Sequence, residues 1–158
     1  MSRLLPRSLD NTYRGHKLAL WLFGLLLFLR GVMGVNSLFN GRPVLTSADG
    51  IPLDTYPPAA AETIVSLFAL LALSNLVLCL LGILVLLRYR SVIPFMFALL
   101  LLEHLGKRLI LYLMPVVRTG TPPGSYINLG LLAVMLLGLA LSLWHRGDPQ
   151  GQVSERRS

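Results

Sequence analysis

The chain has 158 residues, of which 54% are hydrophobic and 13% are charged, and its formal net charge at pH 7 is +7. The mean hydropathy is +0.69, and the hydrophobic residues form long blocks, which is atypical of a soluble domain. The basic residues lie beside these blocks rather than in a basic domain of their own, so we expect no binding of nucleic acid.

Four hydrophobic blocks predict an all-α integral membrane protein with four transmembrane helices in an up-down bundle. Each block has about 19 to 26 residues, and about 20 residues cross 30 Å of hydrocarbon at 1.5 Å per residue. Residues 17–146 are therefore expected to form the transmembrane domain. The predicted spans are residues 18–39, 64–87, 92–117 and 126–144, and the predicted outer loops are residues 40–61 and 118–125.

The first block is interpreted as a retained helix rather than a cleaved signal peptide. Basic residues precede it, but Arg30 interrupts it and no cleavage site of small residues follows closely. Residues 1–16 are then a basic cytoplasmic tail, and the polar residues 147–158 are expected to form a disordered cytoplasmic tail.

The distribution of basic residues predicts the orientation of the chain. Nine lie in the two tails and the second connection, whereas two lie in the first and third connections. The positive-inside rule then places both termini in the cytoplasm of a multi-pass protein of the cell membrane, with a preference for a bacterial inner membrane. The nine are Arg3, Arg7, Arg14, Lys17, Arg88, Arg90, Arg146, Arg156 and Arg157, and the two are Arg42 and Arg118.

Charged residues within the blocks predict an intramembrane ion pair. Arg30 lies about 13 residues beyond the inner end of the first block and Glu103 about 12 residues beyond that of the third, roughly 18 to 20 Å in each case. Because charge is costly in hydrocarbon, we expect Arg30 and Glu103 to face each other. Asn75 of the second block lies at a similar depth and is expected to make a polar contact between helices.

Two further basic residues follow Glu103 on the same block. Lys107 is four residues after Glu103, and Arg108 is four residues after His104, so these side chains share one broad helix face. Basic charge exceeds acidic charge there, which predicts a pocket that opens outward and binds a carboxylate or phosphate. The candidate ligand-binding residues are Lys107, Arg108, His104, Asn128 and Asn36.

Each of these residues also has a purely structural interpretation. Lys107 and Arg108 can extend their long side chains toward the membrane surface. His104 can hydrogen-bond inside the bundle, and the ion pair can serve folding alone. Whether the cluster is functional or structural is therefore left open.

The residues with catalytic or metal-binding chemistry are sparse. The single cysteine, Cys79, lies inside a hydrophobic block, and the histidines are widely separated. These residues provide neither a zinc ligand set nor matched haem ligands, so we expect no metal and no cofactor. Without a nucleophile motif we assign no catalytic residues, although an enzyme acting on lipid stays open.

Two functions fit these features. The first is binding an anionic small molecule or lipid headgroup, or helping to move it, from the outer side. The alternative is a non-catalytic accessory or structural subunit of a larger membrane complex, with the charged cluster paired to partner helices. Four spans leave little room for a pathway inside one chain, so either function predicts a homo-oligomer or a larger complex in the lipid bilayer.

Overall fold

The computed structural model of the protein describes residues 15–144, which contain helices and turns and no strand. Most of the tails predicted at residues 1–16 and 147–158 therefore lie outside the described residues. The four long helices are α1 at Lys17–Phe39, α2 at Pro58–Arg88, α3 at Ile93–Leu113 and α4 at Gly124–Leu143.

Three of these helices, α1, α2 and α4, are long and apolar enough to cross a membrane. Helix α3 has 21 residues but carries Glu103, Lys107 and Arg108 and is not one of the three. The all-helical fold is thus confirmed, and its three long apolar helices are compatible with a membrane location. A fourth span through α3 stays a prediction.

The helix ends have local causes. The Nδ1 atom of His16 accepts a hydrogen bond from the backbone N–H of Leu18 at 3.1 Å and caps α1. Pro58 and Pro94 lie in the first turns of α2 and α3, where the missing N–H costs no helical hydrogen bond. Helix α2 begins at Pro58 rather than at residue 64, and its 31 residues measure about 46 Å.

Helix α1 packs mainly against α2 and α4, and α4 also packs against α3. The rings of Phe23 and Phe97 meet edge to face with their centroids 5.0 Å apart. Gly138 of α4 lies against the Phe97 ring so closely that a Cβ there would be 2.3 Å from it. The main core consists of Ala19, Phe23, Leu26, Leu27, Val85, Ile93, Met96, Phe97, Leu100, Leu131 and Met135.

The first connection, residues 40–57, folds into short helical turns rather than an irregular loop. Its turns are Gly41–Pro43, Val44–Ala48 and Leu53–Thr55. Leu45 and Leu53 are buried with Ala61 of α2 in a second, smaller core. The early start of α2 therefore has a packing role, because its first turns support this connection.

The first connection also contacts the third connection, residues 114–123. The backbone N–H and the hydroxyl of Thr119 both donate to the carbonyl oxygen of Gly50, at 2.8 and 3.1 Å. Gly50 has φ +68°, a left-handed conformation that favours glycine. These contacts place the C-terminal ends of α1 and α3 and the N-terminal ends of α2 and α4 at one end of the molecule, which we call the connection end.

Candidate functional site

Arg30 is the most buried charged residue within residues 15–144, with 6% of its surface exposed. It lies on the buried face of α1 one turn from Leu26 and Gly34, so helical periodicity directs its side chain into the protein. Its Nη2 atom donates a hydrogen bond to Oε2 of Glu103 on α3. A guanidinium buried to this degree requires such a counter-ion.

Lys107 contacts the other oxygen of the same carboxylate. Its Nζ atom pairs with Oε1 of Glu103 one helical turn away. The Lys107 side chain is 47% exposed and that of Glu103 is 19% exposed, so Lys107 approaches the carboxylate from the open side. Glu103 therefore joins a buried cation of α1 to an exposed cation of its own helix.

We define the Glu103 cluster as the following five residues: Arg30, Glu103, His104, Lys107 and Arg108. The charges of Arg30, Lys107 and Arg108 all act on His104, which is itself buried. Arg30, Lys107 and Arg108 give the cluster three cations, and Glu103 gives it one carboxylate. The cluster therefore has two more basic than acidic side chains.

Several buried polar atoms near the cluster have no hydrogen-bond partner among the described residues. They are Nη1 of Arg30, Nε2 of His104 and Oδ1 of Asn75. A buried polar atom without a partner costs stability, and Nη1 can act only as a donor. The interior of the cluster therefore retains unused hydrogen-bonding capacity, including one donor on a guanidinium.

Arg108 differs from Lys107 in having no ion pair or hydrogen bond within residues 15–144. It is exposed, and no residue of α3 from Leu105 to Leu113 is buried. Earlier in α3, by contrast, buried residues recur at helical spacing up to His104. The half of α3 that carries Lys107 and Arg108 thus has no helix covering it in the single chain.

Two predicted ligand-binding residues are not joined to the cluster. Asn36 is exposed, and its Oδ1 accepts a hydrogen bond from the side chain of Asn40 at 3.0 Å. Asn128 is half-buried near the start of α4 and has no side-chain hydrogen bond in the described part of the chain. The structure therefore connects Arg30, Glu103 and Lys107, with His104 beside them, and leaves both asparagines apart.

Asn75 lies where α1 and α2 approach each other. Its Nδ2 atom is 3.5 Å from the position that a Cβ on Gly34 would occupy. Its buried Oδ1 makes no hydrogen bond with the described residues, so the expected polar contact between helices stays a prediction. One turn further along α2, the buried thiol of Cys79 experiences the charges of both Arg30 and Glu103. The sequence analysis placed Cys79 in a hydrophobic block but not beside the cluster, although its spacing of four residues from Asn75 indicates the same helix face.

A second electrostatic contact links the two connections. Asp49 lies with its Oδ1 3.2 Å from the position that a Cβ on Gly124 would occupy, at the N-terminus of α4. Burial raises the pKa of Asp49 above its ordinary value of 3.8, and the positive charge of Arg118 opposes this. The positive end of the α4 dipole also favours the ionised carboxylate. The sequence identified these residues only as parts of two separate loops.

The chain matches no protein-family model, no curated protein and no solved structure. Within residues 15–144, no group of three His, Cys, Asp or Glu side chains could hold a metal ion.

Proposed function

We propose that this chain is a multi-pass protein of the cell membrane, and of a bacterial inner membrane in particular, in which α3 forms a fourth span. The three apolar helices support this location. The pairing of Glu103 with Arg30 and Lys107 supports insertion of α3, because an ion pair lowers the cost of charge in hydrocarbon. Among the described residues, three basic residues lie at the end opposite the connection end (Lys17, Arg88 and Arg90) and two lie at the connection end (Arg42 and Arg118), which supports cytoplasmic termini.

For the activity, we propose that the Glu103 cluster binds an anion that approaches from the connection end and helps to move it. The anion carries a carboxylate or phosphate, either as a free small molecule or as a lipid headgroup. One observation carries this proposal: Glu103 is shared by two cations, and the exposed side chain of Arg108 on the same helix lacks a partner among the described residues. Guanidinium groups with free N–H donors suit oxyanions.

The exposure of the side chains suggests an order of contact. Arg108 is exposed and would meet an incoming anion first. Lys107 is half exposed on a flexible stem and could leave Glu103 to bind the anion. Arg30 would then hold Glu103 in place from the buried side. The carboxylate thus acts in this proposal as the anchor of the cationic site, and the anion contacts the cations around it.

The test compares Arg108→Gln with Arg42→Gln, a change at another exposed arginine outside the cluster. Binding of inorganic phosphate and of short-chain phosphatidic acid to the purified protein is measured by calorimetry. Because a hydrogen bond to a charged group contributes about 1.5 to 3 kcal/mol, we expect Arg108→Gln to weaken binding at least about tenfold and Arg42→Gln to leave it unchanged. Binding of phosphate identifies a free anion as sufficient, and binding of phosphatidic acid alone identifies a headgroup. The absence of binding by either probe, or equal loss in both variants, would overturn the proposal.

A second candidate function is that of a non-catalytic accessory subunit. The observation that favours it is the uncovered half of α3, which carries the unpaired Arg108. A partner helix with a carboxylate at the same depth would cover this surface and neutralise Arg108. Native mass spectrometry after mild-detergent purification tests this alternative. A stoichiometric second protein that is lost in Arg108→Gln would support it, and a protein that contains copies of this chain alone would contradict it.

A further inference from the structure

A groove of about 550 Å³ lies between α1 and the C-terminal end of α2, at the end of the molecule opposite the connection end. Its α1 wall uses residues spaced three and four apart, which form one face of a helix. This groove is separate from the Glu103 cluster and shares no residue with it. The residues that matter for its shape are Trp21, Gly24, Leu25, Phe28, Leu86 and Arg90.

The groove exists because Gly24 has no side chain. A Cβ at this position would lie 3.7 Å from Leu86 of α2, so any longer side chain would fill the floor of the groove. Trp21 and Phe28 stand on either side along α1, with 80% and 67% of their surfaces exposed. From Trp21 to Phe28, seven positions further along α1, the apolar wall rises about 10 Å.

Positive charge lies at the mouth of this apolar groove. The Nε atom of Arg90 donates to the carbonyl oxygen of Leu86 at 3.1 Å, which holds the guanidinium beside the groove. Lys17 and Arg88 are further exposed cations at the same end. The acidic residues of the described chain lie elsewhere, either toward the connection end or in the middle of α3. They are Asp49, Asp54, Glu62 and Glu103.

We propose that this groove binds an acyl chain of an anionic phospholipid whose phosphate contacts Arg90. An apolar channel beside a guanidinium matches the two chemical parts of such a lipid. The exposed indole of Trp21 suits the interface where acyl chain and headgroup meet. This inference rests on the membrane location proposed above and not on anion binding at the Glu103 cluster.

The experiment uses the full chain in mild detergent, mixed with phosphatidylglycerol or phosphatidylcholine that carry identical acyl chains. Retention of each lipid is read by native mass spectrometry. We expect wild type to retain phosphatidylglycerol in preference, and Arg90→Gln to reduce this preference by about tenfold. Arg88→Gln is the matched control, because Arg88 is a neighbouring exposed arginine that does not line the groove. Its lipid preference should equal that of wild type.

Two changes at Gly24 test the apolar half of the site. Gly24→Leu fills the groove and should reduce retention of both lipids, whereas Gly24→Ala adds only an ordinary contact with Leu86 and should reduce it less. If Gly24→Leu fails to fold, the comparison of Arg90→Gln with Arg88→Gln still shows whether the groove binds the lipid. Equal retention of both lipids by wild type, equal effects of the two arginine changes, or a stoichiometric protein seated in place of lipid would overturn the proposal.

One further variant distinguishes lipid binding in the groove from lipid binding at the Glu103 cluster. Arg108→Gln removes one exposed cation of the cluster and leaves the groove unchanged, so the preference for phosphatidylglycerol should persist in this variant. Loss of the preference in Arg108→Gln but not in Arg90→Gln would assign the lipid to the cluster and would contradict a lipid site in the groove.

Discussion

Glu103 of α3 accepts a hydrogen bond from Arg30 of α1, a residue 73 positions earlier in the chain. The same carboxylate contacts Lys107 through its second oxygen. The two cations differ in environment, because Arg30 is buried and Lys107 is half exposed. Removing the carboxylate and removing either cation should therefore have different consequences for stability.

The first prediction concerns Glu103→Gln. This change leaves the buried Arg30 without a counter-ion, and breaking a buried pair in this way costs about 3 to 5 kcal/mol. Lys107→Gln should cost less, because Glu103 remains as the counter-ion of Arg30 and the Lys107 side chain is 47% exposed. Thermal unfolding in detergent measures the loss of stability in both variants. Equal losses of stability would show that Arg30 does not depend on Glu103.

Charge reversal tests the same three residues together. Arg30→Glu alone places two carboxylates face to face and should abolish folding. Adding Glu103→Arg restores attraction between α1 and α3, but it places the new arginine beside Lys107, so recovery should be partial. A further Lys107→Glu change inverts every sign and should recover more of the stability. Abundance in membranes and thermal unfolding rank the single, double and triple variants by stability. A triple variant that is less stable than the double variant would contradict the finding that Arg30 and Lys107 share the Glu103 carboxylate.

Gly138 and Gly130 offer a matched pair of changes on α4. A Cβ at Gly138 would be 2.3 Å from the Phe97 ring, whereas a Cβ at Gly130 would meet nothing within 4 Å. Overpacking costs about 1 to 3 kcal/mol, so Gly138→Ala should lower the thermal unfolding temperature. Gly130→Ala should leave it unchanged or raise it, since alanine favours the helix. A loss of stability in Gly130→Ala as large as in Gly138→Ala would rule out this packing explanation.

The burial of Asp49 at the connection end predicts that the stability of the protein depends on pH. Burial raises the pKa of Asp49 in the folded protein, so the folded state binds the proton more tightly than the unfolded chain. The stabilisation that comes from this tighter proton binding is fully present at pH values below the ordinary pKa of 3.8. It is lost as the pH rises through the raised pKa of Asp49. Asp49→Asn should therefore flatten the pH dependence of thermal unfolding and stabilise the protein at neutral pH.

The control for Asp49 is Asp54→Asn, which changes an exposed carboxylate of the same connection. It should retain the pH dependence of wild type. If Asp49→Asn instead destabilises the protein at neutral pH, the attraction of Asp49 to Arg118 and to the α4 dipole outweighs the cost of burial.

The proposed orientation can be tested with single cysteines. Ser47→Cys lies at the connection end and Arg88→Cys at the opposite end, while the native Cys79 is only 3% exposed. A membrane-impermeant maleimide should label Ser47→Cys in intact cells and Arg88→Cys only after permeabilisation. The reverse pattern would invert the proposed topology, and labelling of both in intact cells would contradict a membrane between them.

Much of the helical architecture can be inferred from local sequence. Long hydrophobic blocks and flanking prolines indicate helices, because main-chain hydrogen bonding and apolar length depend on neighbouring residues. Charge and depth likewise suggested Arg30 as the partner of Glu103. The limits of α2 were less accessible, since the hydrophobic block begins only at Ile64 and the turn before it also packs against Leu45 and Leu53 of the preceding connection.

Other features depend on how the helices are rotated against each other, and the amino-acid pattern carries little information about this. Helical spacing assigned Lys107 and Arg108 to one face, but packing directs Lys107 to the carboxylate and leaves Arg108 uncovered. The contact of Gly138 with Phe97 and the approach of Asp49 to Gly124 join residues far apart in the chain. Such contacts follow from side-chain packing between elements, which is a property of the folded chain rather than of any single segment.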